Sequence, residues 1–317
     1  MATAFSPSNS VTTTTADKFI PDIWSDEIVA AYKKNLVLAN LVMKMNFKGK
    51  KGDTIHIPAP TRGSASAKAA ETAVTLIAAT ESEVNVSINK HYEYSRLIED
   101  IVEAQALNSL RNFYTSDAGY ALAKQVDTDL VQLGRSTNGG AGTNAYATGA
   151  FIGGDGTSAY VAASNNESAL TDAAIRRTIQ RLDDTDTPMD QRFFLIPPSS
   201  RNTLMGLARY TEQAFVGGTN STIRTGEIGN LYGIPVFVSS NCDTASGSNA
   251  ARVCLMGHRD AVVLVEQVAV RSQVQYKQEY LATLFTSDTL YGVQILRSAA
   301  SVSAAKSASM FALLVPA

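Results

Sequence analysis

Much of what usually marks a function is missing from this chain of 317 residues. It has two cysteines, Cys242 and Cys254, three histidines and a single tryptophan. Two cysteines in so long a chain make no disulfide framework; they read as reduced residues of a protein made in the cytosol. Residues 1–16 are rich in Ser and Thr, without the basic start or apolar centre of a secretion signal. No apolar run approaches the ~20 residues of a membrane helix; residues 262–265 and 311–315 are strand-length at most. A basic stripe is absent as well. The 27 Lys and Arg stand against 29 Asp and Glu, and the densest basic stretch (Lys44, Lys48, Lys50, Lys51) is diluted by neutral and apolar neighbours. Contact with nucleic acid is therefore expected to be weak and non-specific.

Catalytic parts are equally scarce. His56, His91 and His258 are far apart; His56 and His91 are expected to face each other across a ribbon, and two nitrogens alone make no zinc site. There is no G-x-S-x-G elbow. Gly139-Gly140-Ala141-Gly142 lacks both dinucleotide-binding spacing and the Lys-Ser/Thr of a phosphate loop. His258-Arg259-Asp260 opens like a kinase catalytic loop, but Val265 stands where its Asn is needed, so a turn between strands is expected. Asp183, Asp184, Asp186 and Asp190 lack the Gly and closing Glu of a calcium loop and read as a solvated turn. Trp24 reads as a packing residue. No catalytic, cofactor or metal site is expected, and an enzyme is disfavoured.

What is present is pattern. Hydrophobic residues make up 45% of the chain, and a mean hydropathy of -0.03 is that of a folded protein. Phe19 to Trp24 form an apolar anchor before a helix capped by Ser25. Residues 51–97 then read as a long β-arm. Ile55 and Ile57 alternate with His56, a tip of small residues follows from Pro58 to about Thr72, and the return segment places Val84, Val86, Ile88, Tyr92 and Tyr94 on one face. A single strand over residues 82–95 would extend about 45 Å. A two-stranded ribbon leaves one apolar face wet, so this arm is expected to need a surface its own chain does not supply.

From Ile98 the period turns helical: Ala118, Leu122, Val126 and Leu130 predict a helix from about 109 to 133, ~37 Å long, stopped by Gly134. Thr171 caps a further helix, with Ile175, Ile179 and Leu182 inward and Arg176, Arg177 and Arg181 toward solvent. A buried strand at 193–196, a helix from Pro197-Pro198, and strands at 234–238, 253–256, 261–266, 268–276, 280–285 and 291–296 complete an α+β chain.

Several strings, in order, resemble the major capsid proteins of tailed bacteriophages: Gly229-Asn230-Leu231-Tyr232-Gly233-Ile234-Pro235-Val236, Gly257-His258-Arg259-Asp260-Ala261 and Tyr291-Gly292-Val293-Gln294-Ile295-Leu296. The resemblance implies an N-terminal arm (1–50), an extended β-hairpin loop (51–97), a peripheral domain with a long spine helix (98–165 and 257–287) and an axial α/β domain (166–256 and 288–317). It implies pentamers and hexamers forming an icosahedral shell around packaged DNA, assembled in the bacterial host cytoplasm. The implied partners are the chain itself, a portal, a separate scaffolding protein (the region before Phe19 being short and polar) and decoration proteins. An encapsulin-like nanocompartment shell shares this fold and stays open as an alternative, and a soluble enzyme or carbohydrate-binding protein is a third. Trp24, Arg62, Lys68, Glu71, Tyr92 and Tyr94 are the subunit-interface candidates. In a few members a loop lysine is crosslinked to an Asn of a neighbour; Lys68 is the lysine placed for that, but an ordinary ion-pairing or solvated lysine is the favoured reading of it.

Overall fold

A computed structural model of the chain describes residues 37–48, 51–60, 63, 65–76, 81–99, 109–136, 151–160, 166–207, 229–242, 251–296 and 309–317. The expected anchor and helix around Trp24, the glycine run at 139–142 and Arg62 lie outside these residues.

In chain order the elements begin with α1 (Leu38–Leu41), β1 (Met43–Asn46), β2 (Thr54–Pro60), β3 (Glu81–Ser87), β4 (Lys90–Glu99) and the 28-residue α2 (Ser109–Ser136). They continue through β5 (Phe151–Ile152), α3 (Asp172–Asp184), β6 (Arg192–Ile196), α4 (Pro198–Met205), β7 (Asn230–Leu231) and β8 (Ile234–Val238). The last are β9 (Arg252–His258), β10 (Val262–Lys277), β11 (Ala282–Ile295) and β12 (Met310–Val315). Three sheets result: four strands in the order β1-β10-β11-β4, six in the order β5-β12-β9-β6-β8-β7, and the β2-β3 hairpin.

The six-stranded sheet is buried on both faces where β6, β9 and β12 run through it, which is why these strands read as unbroken apolar stretches. β6 and β8 are parallel, with α4 in the crossover between them. α4 starts on Pro198, whose missing N–H costs nothing in the first turn. α3 is capped as expected: Thr171 Oγ1 accepts from the Ala174 N–H at 3.3 Å and donates to Gly154 O. Ile175 and Leu182 point into a core with Phe194, Ile196, Met256 and Leu313. A second core joins the sheets, setting Leu130 and Val131 of α2 against Leu255, Leu264, Tyr291 and Leu314.

Several expectations need correction. The strand foreseen over 82–95 is broken after Ser87: β3 pairs with β2, whereas β4 leaves the ribbon and pairs with β11. The ribbon's apolar face is not left wet, because Val86 and Ile88 pack on Val263 and Val265 of the same chain, with Ile55 and Ile57 against them. His56 and His91 are thereby parted; His56 contacts Glu83 at 3.1 Å and His91 contacts Asp288 at 3.2 Å. The stretches 261–266 and 268–276 form one strand, β10, with irregular register between Glu266 and Arg271. The stretches 280–285 and 291–296 likewise merge: β11 runs unbroken from Ala282 to Ile295, with Ser287 and Asp288 adjacent within it. β12, taken only as a strand-length apolar run, lies inside the six-stranded sheet between β5 and β9.

Two local readings also change. α2 does not stop at Gly134 but continues to Ser136. A Cβ on Gly134 would lie 2.9 Å from Met310 Sδ and 3.0 Å from Leu255 Cδ1, so this glycine permits close helix–sheet approach instead of ending a helix. Arg181 is not on the solvent side. Its guanidinium lies 3.4 Å from the centre of the Phe151 ring, and burial, aided by Arg177, pushes its pKa down to about 10. The acidic turn after α3 is solvated as read, with Asp183, Asp184, Asp186 and Asp190 all exposed; Asp183 also pairs at 2.8 Å with the buried Arg192, which donates to the Thr187 and Pro188 carbonyls. His258 does end a strand as read, its Nδ1 accepting from the Asp260 N–H in the turn between β9 and β10.

Candidate assembly surface

The β2-β3 ribbon is rooted by close backbone contact. Ile88 N–H donates to Asp53 O at 2.7 Å, Gln267 Nε2 donates to Gly52 O at 3.0 Å, and Gly52 adopts φ 135° to make the entry. The ribbon crosses β11 at Gly292, where any Cβ would sit 2.5 Å from Ser87 O. Between β2 and β3 the chain projects without a partner surface among the described residues. Lys68 is exposed there, and so is Glu71. Glu71 has φ 63°, and the turn it sits in is closed by Thr72 Oγ1 donating to Ala69 O at 2.8 Å. Beyond that turn Val74 is 68% exposed and Leu76 88%.

Behind the root, α2 carries two carboxylates that anchor other elements. Asp127 accepts from the backbone N–H groups of Leu38 and Ala39 at 2.9 and 3.3 Å, and from Asn241 Nδ2 at 3.0 Å. Its pKa is raised, because burial outweighs these hydrogen bonds. Asp129 takes Lys90 Nζ at 3.0 Å and the Tyr291 hydroxyl at 2.7 Å. Burial, and then the Asp129 carboxylate, push the Tyr291 hydroxyl well above the usual phenol range. Lys90 begins β4 beside Tyr291, so this cluster clamps the point where the ribbon joins the four-stranded sheet. Neither aspartate stood out in the sequence; a charged residue on the inner stripe of α2, next to Leu130, was the available signal.

Tyr92 and Tyr94, grouped with the interface candidates by alternation, have partners within their own chain. Tyr92 stacks on Tyr291 with ring centres 6.0 Å apart. Tyr94 donates to Asp117 Oδ2 at 3.1 Å and accepts from Arg96 Nε at 2.6 Å, while the Arg96 guanidinium also lies 4.5 Å from the Tyr114 ring centre. On the opposite face, Asp288 bridges Arg271 and His91 across three strands, and the Arg271 hydrogen bond is the main reason its pKa is lowered. The structure thus brings Lys68 and Glu71 to one exposed tip and sets Tyr92 and Tyr94 against the chain's own core and helix. Among the described residues no three His, Cys, Asp or Glu side chains converge as metal ligands. No helix among them is long and apolar enough to cross a membrane.

A family model described as the phage capsid family matches residues 17–304. The chain belongs to the phage capsid family. Solved capsid-type structures agree over nearly the whole chain. One from Mycobacterium phage Che8 superposes with a TM-score of 0.73 at 21% identity, covering 93% of this chain and 97% of that one. The capsid structure of cyanophage P-SCSP1u gives 0.73 at 19% identity and covers 99% of both chains. The mature capsid of bacteriophage PhiM1 gives 0.69 at 13% identity. At these identities the likeness speaks to the fold, which is that of tailed-phage capsid proteins. No curated protein sequence matches the chain. This capsid protein is a structural component.

Proposed function

We propose that this protein is the major coat subunit of a tailed phage, assembling as pentamers and hexamers into an icosahedral shell around the genome. The family match over residues 17–304 is the observation that carries the reading. The geometry is consistent with it: a rigidly rooted ribbon ends in an exposed tip with apolar side chains that its own subunit leaves in water. In this reading the chain divides into arm, extended loop, peripheral and axial parts, and Trp24, Arg62, Lys68 and Glu71 meet neighbouring subunits. Tyr92 and Tyr94 act one step back, stiffening the sheet that carries the loop. Portal, separate scaffolding protein and decoration proteins are its partners, packaged DNA is contacted without sequence preference, and assembly takes place in the host cytoplasm. No catalytic step is assigned to it.

Negative-stain microscopy and light scattering of the purified protein, with its scaffolding protein where required, test this. Closed shells of uniform diameter are expected. A well-folded population that stays monomeric with scaffold present would refute the proposal.

A further inference from the structure

The chain that carries the ribbon meets α2 twice, once going out and once coming back. On the way out, the Leu38 and Ala39 N–H groups donate to Asp127 Oδ1 at 2.9 and 3.3 Å. On the way back, Lys90 Nζ lies 3.0 Å from Asp129 Oδ2, to which the Tyr291 hydroxyl also donates. The two carboxylates are two positions apart, about 200° around a helix, so they leave α2 on opposite sides of one turn. Both are buried, Asp127 at 1% exposure and Asp129 at 6%. The turn is therefore wedged between the outgoing and the returning segments.

Other groups fix the rotation of this turn. Asn241 Nδ2 donates to Asp127 Oδ2 and to Thr128 Oγ1, and Gln125 Nε2 donates to Asp129 Oδ1 at 3.1 Å. Leu38 and Val42 share one core with Leu130, Val131 and Tyr291, and Tyr92 packs on it. The ribbon root rests on a different core, formed by Val86, Ile88, Val263 and Val265, in which no α2 residue among those described takes part. The two ends of the ribbon-bearing segment thus meet on α2, not in the core under the ribbon. A carboxylate buried without its cation is costly, and turning it toward water relieves that cost. If Lys90 were lost, such a rotation would carry Asp127 away from the Leu38 and Ala39 N–H groups on the far side. Loss of the Asp127 bonds would likewise free the turn to shift against Lys90.

We propose that the 127–129 turn is a two-sided latch, by which the outgoing and returning ends of the ribbon-bearing segment are held together and let go together. The subunit then has a locked and a released setting of the ribbon's ends, with one turn of α2 as the element common to both. This is a property of the single subunit and does not depend on the shell reading.

Hydrogen exchange of the unassembled chain, followed by mass spectrometry, tests it. Lys90→Met removes the returning contact through a side chain that is 31% exposed, and should speed exchange at residues 38–42 by about fivefold or more. Asp127→Ala removes the outgoing contact and should speed exchange at residues 90–94 to a similar extent. Asp127→Asn is the milder replacement should the alanine variant not fold. Lys90→Arg keeps the ion pair and should leave residues 38–42 at the parent rate, and residues 193–196 of the six-stranded sheet should be unaffected throughout. Faster exchange confined to the substituted side would overturn the latch and leave two independent clamps. Faster exchange at 193–196 as well would also overturn it, because the loosening would then be general.

Discussion

Gly292 is the residue at which the ribbon's attachment is most open to attack. Adding only a methyl group there, as Gly292→Ala, places a carbon 2.5 Å from Ser87 O and 3.1 Å from Ile88 Cα. Both neighbours are backbone atoms, so neither can swing aside as the end of a long side chain would. Ordinary contact begins near 3.4 Å, so the ribbon root must retreat by about 0.9 Å. A gap of that size forfeits roughly a quarter to a half of each affected dispersion contact. The contacts at stake join Val86 and Ile88 to Val263 and Val265. Overpacking strain typically costs 1–3 kcal/mol, and loosening of the two buried side chains would bring the total to about 2–4 kcal/mol. Urea unfolding of the unassembled subunit should show that loss, with faster amide exchange at residues 84–88 than in the six-stranded sheet. Gly119→Ala serves as the control. A Cβ there meets nothing within 4 Å, and the site is inside α2, so the same methyl group should stabilise by about 0.5–1 kcal/mol. If the two substitutions shift stability alike, or if residues 84–88 keep their protection in Gly292→Ala, the close crossing is not what holds the ribbon.

Other outcomes follow from single contacts. Thr171→Ala removes the α3 cap and its bond to Gly154 O, and should lower stability by about 1–2 kcal/mol in chemical denaturation. Asp127→Ala strips the Leu38 and Ala39 N–H groups of their acceptor and should expose the α1 segment to limited proteolysis, with a cost of ~1–3 kcal/mol. Burial pushes the Cys254 thiol up to about 12 and the Cys242 thiol higher still, so neither should react with a thiol reagent at pH 8 until denaturant is added. The Asp288 carboxyl is held below its ordinary value, chiefly by Arg271, so its contribution is present above about pH 4 and is lost as pH falls through the lowered pKa. Asp288→Asn should flatten that part of the acid-unfolding curve, and an unchanged curve would remove the His91–Asp288–Arg271 bridge from the account.

Local order was legible wherever a residue's neighbours along the chain determine its state. Thr171 could be read as a cap, Pro198 as a helix start and residues 193–196 as a buried strand, because each depends on hydrogen bonds or burial within a few residues. The reading failed where distant segments meet. Alternation ran unbroken through Ile88 and Asn89, yet β3 and β4 take different partners, since pairing with β2 and with β11 is decided across gaps of about 30 and 200 residues. Arg181 sits at a helical spacing that suits solvent, but the Phe151 ring, thirty positions earlier, makes a lid for it. Gly134 and Gly292 look like any loop or helix-end glycine until the facing backbone is known.

Of the candidate surface, the sequence by itself determined the alternation of the ribbon strands and the small residues of the tip between them. Those are properties of composition and period. Only the tertiary structure decided that the ribbon's base is buried by its own subunit and that Tyr92 and Tyr94 have partners within it. The reason is physical: alternation specifies that one face must be covered, but not which surface covers it. That choice belongs to backbone partners hundreds of residues apart.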